Sequence, residues 1–457
     1  MKHHPQQFLL LAFVCIIFVS CKTTQPLNGE NEDTIATVET KLEQLISESD
    51  VFSKSLTGFV LFDPVADSIL HNRNGDRYFT PASNTKILTL YSSISALPDT
   101  LPSLKYEVVN DTLYFHGTGD PAFLNPNFDF NGAYDFLLGR DEVLVYDDSN
   151  YDDEHFGSGW AWNWYPAAYA PEKSPFPIYG NMMRLQRQQV ALIMLNENEP
   201  VKPAYFERFI DQGEWDGAQI ELVKRNFRDN KIMYVPKSDT VTWEQNVPFV
   251  YSSELVANLL ADTLGRDVSV YNGPGIEYTN THFATPARDL YRRMMVESDN
   301  LIAEQLLLMI SDQEFGVMNT TRAINYAQEN YLKELPERPR WADGSGLTRY
   351  NLITPLTTVM LLEKLYNMLG KDETLALMPI GGVSGTIKGR YRAPEGQEPF
   401  VYAKTGTLSN NLSLSGYLFT DSGRRLTFSF YNNNFVVGNS VIRDEMNQVL
   451  QYIRQNY

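Results

Sequence analysis

The chain has 457 residues, long enough for two or three domains, and its hydrophobic fraction of 43% is typical of a globular protein. Its formal net charge is −18 at pH 7. That charge repels nucleic acid and anionic lipid surfaces, so we expect no nucleic-acid partner.

Residues 1–21 are typical of a secretion signal rather than of a folded segment. A short apolar run, too short to span a bilayer comfortably, ends in Cys21. A small residue before that cysteine resembles a bacterial lipobox, although Phe18 stands where leucine is usual. We expect Cys21 to be lipidated, residues 22–34 to form a flexible tether, and the protein to be anchored by lipid to a bacterial membrane on its periplasmic side. The alternative is an ordinary signal peptide with an incidental cysteine.

The placement of cysteine and histidine excludes several chemistries. The two cysteines, Cys15 and Cys21, lie in the leader, so the mature chain has no disulfide, no thiolate metal site and no cysteine nucleophile. No HExxH motif occurs, although scattered histidines and aspartates could still converge on zinc in the fold. We expect no metal and no cofactor.

Helical and strand patterns alternate at the start of the body. Residues 35–49 carry apolar side chains at helical spacing, and "LTGFVLFDP" and "SILHNRNGDRYF" predict two strands. Pro81 opens a predicted helix, "ASNTKILTLYSSISAL". The segment "PASNTK" places Ser83 and Lys86 one helical turn apart, on the same face.

The pattern changes between residues 101 and 275. Short alternating segments such as "KYEVVNDTLYFHGTGDP" predict a β-rich module. We interpret the aromatic and proline-rich run "GWAWNWYPAAYAPEKSPFPIYGN" as packing rather than as a platform for a sugar or peptide. Helices return in "ARDLYRRMMVESDNLIAEQLLLMISDQ", with a break near Ser298, and three antiparallel strands and a helix close the chain. Segregated helices and sequence-adjacent strands predict an α+β fold.

The pair Ser83 and Lys86 fits acyl transfer to a serine. Serine becomes an effective nucleophile when a base takes its proton, and the free N–H groups of a helix start suit the oxyanion that forms on attack at a carbonyl. Lysine can be the base if burial and positive neighbours lower its pKa from about 10.4 to about 7–8. A lone S-x-x-K pair is weak evidence, because such pairs arise by chance.

Two further motifs strengthen the interpretation. An S-D-N triplet occurs at Ser298-Asp299-Asn300, and a K-T-G triplet at Lys404-Thr405-Gly406 on a predicted strand. In this order, the three motifs match the signature of penicillin-binding proteins and β-lactamases. The rival G-x-S-x-G nucleophile elbow is absent from the sequence.

The body resembles the class C low-molecular-mass penicillin-binding proteins, the D-alanyl-D-alanine carboxypeptidase/endopeptidases. The likeness rests on "TPASNTKILT", "SDNLIAEQLL", "DGSGLTRYNLITP", "GGVSGTIKGR" and "YAKTGTLSNNLSLSGYL". It implies a penicillin-binding-protein/β-lactamase-like transpeptidase domain, an antiparallel sheet flanked by helices, formed by residues 35–100 and 276–457. Residues 101–275 would be a β-rich insertion of one or two subdomains, devoted to substrate recognition.

The resemblance also implies roles for the motif residues. Ser83 would be the acylated nucleophile and Lys86 its base. Ser298 would relay a proton to the leaving amine, and Asn300 would bind the amide of the substrate. Lys404 would supply positive potential that lowers the pKa of Lys86 and attracts the terminal D-alanine carboxylate.

Further residues would bind the substrate. The hydroxyls of Thr405 and Thr407 are expected to hold the terminal carboxylate, and the backbone N–H groups of Ser83 and Thr407 to form the oxyanion hole. Gly406 of the K-T-G motif is expected to belong to the same substrate-binding strand.

A second subsite is implied for the other amino-acid group of a diaminopimelate cross-link. Arg349 would hold it together with an acid of the insertion, either Asp147 or its rival Asp148. The alternative for the aspartates is a solvated turn.

These features predict a serine-type D-Ala-D-Ala carboxypeptidase/endopeptidase that acts on peptidoglycan stem peptides and is inhibited by penicillin and other β-lactams. Two alternatives stay open. A β-lactamase would need a deacylating glutamate, and no E-x-x-L-N motif occurs. A non-catalytic penicillin-binding sensor or scaffold would bind penicillin without releasing D-alanine.

Overall fold

A computed structural model of the protein describes residues 29–188, 191–194, 204–212, 223–234 and 243–457. Cys21 and most of the predicted tether lie outside these ranges. The first helix begins at Gly29, so residues 29–34 are helical rather than irregular. Within the described ranges, no helix has both the length and the apolar content to cross a membrane.

The helices and strands follow the predicted order. The described α-helices are α1 (Gly29–Ser47), α2 (Lys86–Ala96), α3 (Gly132–Leu138), α4 (Ser253–Leu264), α5 (Ala287–Val296), α6 (Asn300–Phe315), α7 (Thr320–Asn330), α8 (Pro355–Leu369), α9 (Lys371–Ala376) and α10 (Asn439–Asn456). The described strands are β1 (Leu56–Asp63), β2 (Ser68–Arg73), β3 (Thr100–Val109), β4 (Thr112–Gly117), β5 (Val143–Tyr146), β6 (Met182–Gln188), β7 (Ala191–Met194), β8 (Ile210–Gln212), β9 (Val223–Arg225), β10 (Ile232–Tyr234), β11 (Trp243–Pro248), β12 (Val268–Val270), β13 (Asn280–Pro286), β14 (Val401–Leu408), β15 (Asn411–Phe419) and β16 (Arg425–Asn433).

Strands from the two ends of the chain form one antiparallel sheet in the order β14-β15-β16-β1-β2. In its register, Phe430 of β16 pairs with Phe59 of β1 and with Leu414 of β15. Residues paired directly across neighbouring strands point to the same face of a sheet, so these three side chains pack in one core with α1 and α10. Tyr417 and Tyr431 pack on the other face with α2 and α5 to α8. The sheet is therefore covered by helices on both sides.

The insertion runs from β3 to β13. Its largest sheet has the order β12-β5-β4-β3-β13, with parallel pairing of β4, β5 and β12 and antiparallel pairing of β3 with β4 and β13. Two three-stranded sheets, β8-β10-β9 and β11-β6-β7, share a core with it and with α3 and α4. Because β13 ends at Pro286, this sheet extends beyond residue 275.

Buried polar contacts tie the insertion to the helical side of the main sheet. Gln305 of α6 donates from Nε2 to the carbonyl oxygens of Gly119 and Ser174, at 2.9 and 2.8 Å. Lys173 of the insertion is 2% exposed and donates to Thr320 Oγ1 of α7 at 3.0 Å. These contacts hold the insertion against α7 and against α6, the helix that begins at the S-D-N triplet.

The predicted α+β class, with an antiparallel sheet flanked by helices, is confirmed. The helical break near Ser298 is present and separates α5 from α6. The predicted helix at Pro81 differs in its first turn, where Ala82–Thr85 form a 3₁₀ turn before α2 begins at Lys86.

Candidate active site

The turn that carries Ser83 is held against the main sheet. Asn84 is 1% exposed and donates from Nδ2 to the carbonyl oxygen of Lys404 at 3.1 Å and to Ser413 Oγ at 2.7 Å. Ser413 Oγ in turn donates to the Pro81 carbonyl oxygen at 2.7 Å. These bonds fix the turn to β14 and β15, and Ser83 is left half-buried, lining a cleft.

The amine of Lys86 contacts the Ser83 hydroxyl and two further acceptors. Its Nζ lies 3.1 Å from Ser83 Oγ, 2.6 Å from Asn300 Oδ1 and 2.6 Å from the Ser345 carbonyl oxygen. A neutral amine has two N–H donors and one lone pair. If Asn300 and Ser345 take both donors, the lone pair is left for the proton of Ser83.

Burial shifts the Lys86 amine toward its neutral form. The side chain is fully buried, and burial lowers the pKa of Lys86 from 10.5 to about 8. The negative charges of Asp343, Glu304 and Asp299 oppose this effect and raise the pKa. The net result lies close to the range that a lysine base needs.

The S-D-N triplet forms the link between α5 and α6. Ser298 has a positive φ of 61°, and Asp299 caps α6 by accepting from the Ile302 N–H at 3.2 Å. Asn300 is thereby placed on the first turn of α6. Its amide is held at both ends, because Oδ1 accepts from Lys86 and Nδ2 donates to the Tyr169 carbonyl oxygen at 2.7 Å.

Lys404 on β14 brings a second buried amine to the site. Its Nζ donates to Ser298 Oγ at 2.8 Å and to the Thr405 carbonyl oxygen at 2.9 Å. Burial, and then the charge of Lys86, hold the pKa of Lys404 well below its usual value. The charge of Lys86 therefore disfavours the charged form of Lys404.

Two glycines allow the backbone to approach the Ser83 turn closely. A Cβ on Gly406 of the K-T-G triplet would collide with Pro81 O and lie 3.0 Å from the backbone N of Ser83. Gly346 of "DGSGL" has a φ of +85°, and a Cβ there would collide with the Ala82 carbonyl oxygen. Any side chain at either position would displace the turn that carries Ser83.

A buried acidic pair shapes the "DGSGL" turn, and sequence reasoning did not identify it. Glu304, 1% exposed, accepts from the N–H groups of Gly344 at 3.1 Å and Ser345 at 2.8 Å. Asp343, fully buried, accepts from Gly346 N at 2.8 Å and from Trp160 Nε1 at 2.9 Å. This turn presents the carbonyl oxygen that binds Lys86, so the insertion, through Trp160, supports the base. Glu304 follows Asn300 by four residues in "SDNLIAEQLL". This helical spacing was the sequence signal that could have placed Glu304 near the site.

These residues surround a cleft of about 610 Å³. Predicted residues that line it include Ser83, Ser298, Asn300, Thr405 and Thr407. The cleft is also lined by residues that sequence reasoning did not assign: Trp164, Tyr169, Leu347, Thr386, Asn439 and Arg443. Trp164 and Tyr169 belong to the aromatic run that we interpreted as packing.

The residues of the predicted cross-link subsite, Arg349 and Asp147, have other partners in the structure. Arg349 is exposed and donates from Nη2 to the Ser409 carbonyl oxygen at 3.1 Å, at the rim of the cleft. Asp147 is 3% exposed, and its carboxylate accepts from Ser149 Oγ at 2.9 Å and from Tyr278 Oη at 2.6 Å. A buried carboxylate with these partners gives no support to the expected pairing across the cleft with Arg349.

The rival Asp148 has partners of its own within the insertion. Its carboxylate accepts from Tyr251 Oη at 3.2 Å and from Ser253 Oγ. It is therefore engaged in the packing of α4 rather than offered to the cleft.

The fold and the site together define a class. A serine at a helix start, with a buried lysine beside it, an S-D-N link and a K-T-G strand at the edge of an antiparallel sheet, is the arrangement of the penicillin-binding serine enzymes. In the described part of the chain, no group of three or more His, Cys, Asp or Glu residues is arranged to hold a metal ion.

The chain belongs to the D-Ala-D-Ala carboxypeptidase 3 (S13) family, whose model matches residues 38–456. The resemblance to class C low-molecular-mass penicillin-binding proteins is thereby confirmed, and the protein is a serine peptidase of the D-Ala-D-Ala carboxypeptidase type.

Individual relatives span most of the chain. The D-alanyl-D-alanine carboxypeptidase DacB of Haemophilus influenzae is 23% identical over 455 residues, covering 90% of this chain and 93% of the relative. A D-alanyl-D-alanine carboxypeptidase of an Actinomadura species is 26% identical over 432 residues, covering 85% and 79%. The crystal structure of penicillin binding protein 4 (dacB) from Haemophilus influenzae aligns with a TM-score of 0.70 at 21% identity, covering 91% and 98%. At that identity, the structural likeness establishes the shared fold.

Proposed function

We propose that the protein hydrolyses the D-Ala-D-Ala bond of peptidoglycan stem peptides through an acyl-enzyme on Ser83. The observation that carries this proposal is the position of Lys86, whose buried amine lies 3.1 Å from Ser83 Oγ and has a pKa lowered to about 8. Such an amine can take the serine proton and turn the hydroxyl into a nucleophile.

Acylation would use the groups of the cleft in sequence. Ser83 Oγ attacks the carbonyl carbon of the penultimate D-alanine while its proton passes to Lys86. Backbone N–H groups of Ser83 and Thr407 stabilise the oxyanion, as preorganised donors do in other acyl transfers. The C–N bond then breaks, and Ser298 Oγ, 2.8 Å from Lys404 Nζ, relays to the leaving amine the proton that Lys86 took from Ser83, which leaves Lys86 neutral again.

Deacylation completes the cycle. A water molecule attacks the ester carbonyl while its proton passes to Lys86, and Lys86 returns that proton to Ser83 Oγ as the ester bond breaks. One water is consumed, the shortened stem peptide leaves as a carboxylic acid, and Ser83 is regenerated, D-alanine or the cross-linked amine having left during acylation. A β-lactam would acylate the same hydroxyl but keep its amine tethered, which accounts for inhibition.

Two assays on the full-length protein test the proposal against its alternatives. We expect a fluorescent penicillin to give a stable adduct and a stem pentapeptide to release D-alanine. Rapid turnover of penicillin would favour a β-lactamase instead. A stable adduct without D-alanine release would favour a sensor or scaffold. The absence of both reactions would overturn the assignment of the chemistry to Ser83.

Acylation by penicillin should depend on the protonation of Lys86. Because the neutral amine is the base, the rate constant is expected to rise with pH and level off above a midpoint of about 8. The carboxylate of Glu304 raises the pKa of Lys86. Glu304→Gln is therefore expected to move the midpoint to lower pH. Stopped-flow measurements across about pH 6–10 would check the midpoint and its shift, because this range brackets the pKa of about 7–8 that a lysine base needs. A rate that does not change with pH over this range would contradict the role of Lys86.

We also propose that the mature protein is held on the periplasmic side of a bacterial membrane by a lipid on Cys21. The leader ending in "FVSC" supports this. We expect wild-type protein in the membrane fraction and Cys21→Ala in the soluble fraction, with penicillin labelling preserved in both. A Cys21→Ala form that stays in the membrane fraction like the wild type would show that another feature provides the anchor.

A further inference from the structure

Arg443 brings a cationic side chain to the cleft from the last helix of the chain. Asn439 and Arg443 lie four residues apart near the start of α10, on one face, and both line the cleft. Arg443 Nη2 donates to Thr407 Oγ1 at 3.2 Å. The guanidinium therefore lies beside the K-T-G strand, next to a hydroxyl already expected to bind substrate.

The charge of Arg443 is not neutralised by an acid in the described part of the chain. The neighbouring groups are Tyr391 and a second cation, Arg390, which itself pairs with Asp444 at 2.8 Å. The side chain is half-buried, and burial lowers the pKa of Arg443. A partly desolvated cation without an anionic partner is costly in free energy, and a bound anion would remove that cost.

The surroundings match a carboxylate in particular. The Thr407 hydroxyl accepts from Arg443, and Thr405, whose hydroxyl donates to Thr386, lines the same cleft. Lys404 adds a buried amine on the same strand. A guanidinium has five donors in one plane, which can bind both oxygens of a carboxylate, and one is engaged by Thr407. This convergence of donors and positive charge contrasts with the net charge of −18 of the whole chain.

We infer that Arg443 binds the terminal carboxylate of the substrate and gives the enzyme its preference for a free C-terminus. This inference rests on the proposed function, because the carboxylate in question belongs to the leaving D-alanine. It adds a charged residue from α10 to a subsite that the motifs assign to the K-T-G strand.

The test compares two stem peptides that differ in one group, one ending in D-Ala-D-Ala with a free carboxylate and one ending in D-alaninamide. For the wild type, we expect a higher kcat/KM on the carboxylate peptide. Arg443→Met is expected to reduce that preference by about tenfold to a hundredfold, and Arg443→Lys, which keeps the charge, by less. Arg443→Gln provides a second neutral replacement should the methionine variant fold poorly.

Lys388→Met is the matched control, because it removes one positive charge from an exposed residue two positions after Thr386, which lines the cleft. It is expected to keep the wild-type preference. An unchanged preference in the neutral Arg443 variants, or an equal loss in Lys388→Met, would overturn the role of Arg443. A wild-type protein that cleaves neither peptide would instead overturn the proposed function, so the two failures are distinguishable.

Discussion

Ser83→Ala is expected to lower D-alanine release by more than about 10⁴-fold and to abolish the covalent penicillin adduct. The covalent route needs the hydroxyl oxygen that forms the acyl-enzyme, and removing a serine nucleophile leaves little of the catalysis. Ser83 packs at the surface of the cleft and its hydroxyl contacts Lys86, so the fold should survive its loss. Mass spectrometry of peptides after penicillin treatment would locate the adduct.

Ser409→Ala is the matched control for this experiment, because it removes another serine hydroxyl that lines the same cleft. We expect it to be acylated on Ser83 like the wild type. An adduct on any residue other than Ser83 would contradict the proposed mechanism.

Gly346→Ala is expected to reduce both penicillin acylation and D-alanine release by about 100-fold. The new Cβ would collide with the carbonyl oxygen of Ala82, so the turn that carries Ser83 must shift. A displacement of about 1 Å at a reacting group can cost about 10²-fold in rate. Acylation kinetics, measured together with thermal unfolding, would separate the loss of activity from a loss of stability.

Gly396→Ala isolates the effect of backbone strain. Gly396 has a similar φ of +80°, is exposed, and has open space where a Cβ would lie. An alanine there is expected to cost about 1–2 kcal/mol of stability from its left-handed conformation while leaving acylation unchanged. If Gly346→Ala behaved like Gly396→Ala, close contact with the Ser83 turn would not be needed for activity.

The insertion takes part in the site more directly than we expected from its position in the chain. The Tyr169 carbonyl oxygen holds Asn300, and Trp160 binds Asp343 in the turn that contacts Lys86. We assigned the insertion to substrate recognition because the three motifs lie outside it. The contacts indicate that it also positions two of the motif residues, so its removal should disturb the site itself.

The reacting residues could be identified from the sequence because acyl transfer to a serine restricts them locally. Ser83 and Lys86 must share a helix face, and that follows from a spacing of three residues. The S-D-N and K-T-G triplets are short enough to recognise without knowing the fold. The α+β class likewise follows from alternating and helical periodicities, which are properties of each segment.

Only the tertiary structure decided which distant residues support this chemistry. Trp160 and Arg443 reach the site from two separate elements, and nothing in their local sequence shows which surfaces meet. For the same reason, the sequence left open whether Asp147 binds substrate or lies in a solvated turn. In the structure its carboxylate is buried and accepts a hydrogen bond from Tyr278. Periodicity reports which face of a segment is apolar, but contacts between residues far apart in the chain depend on how whole elements pack.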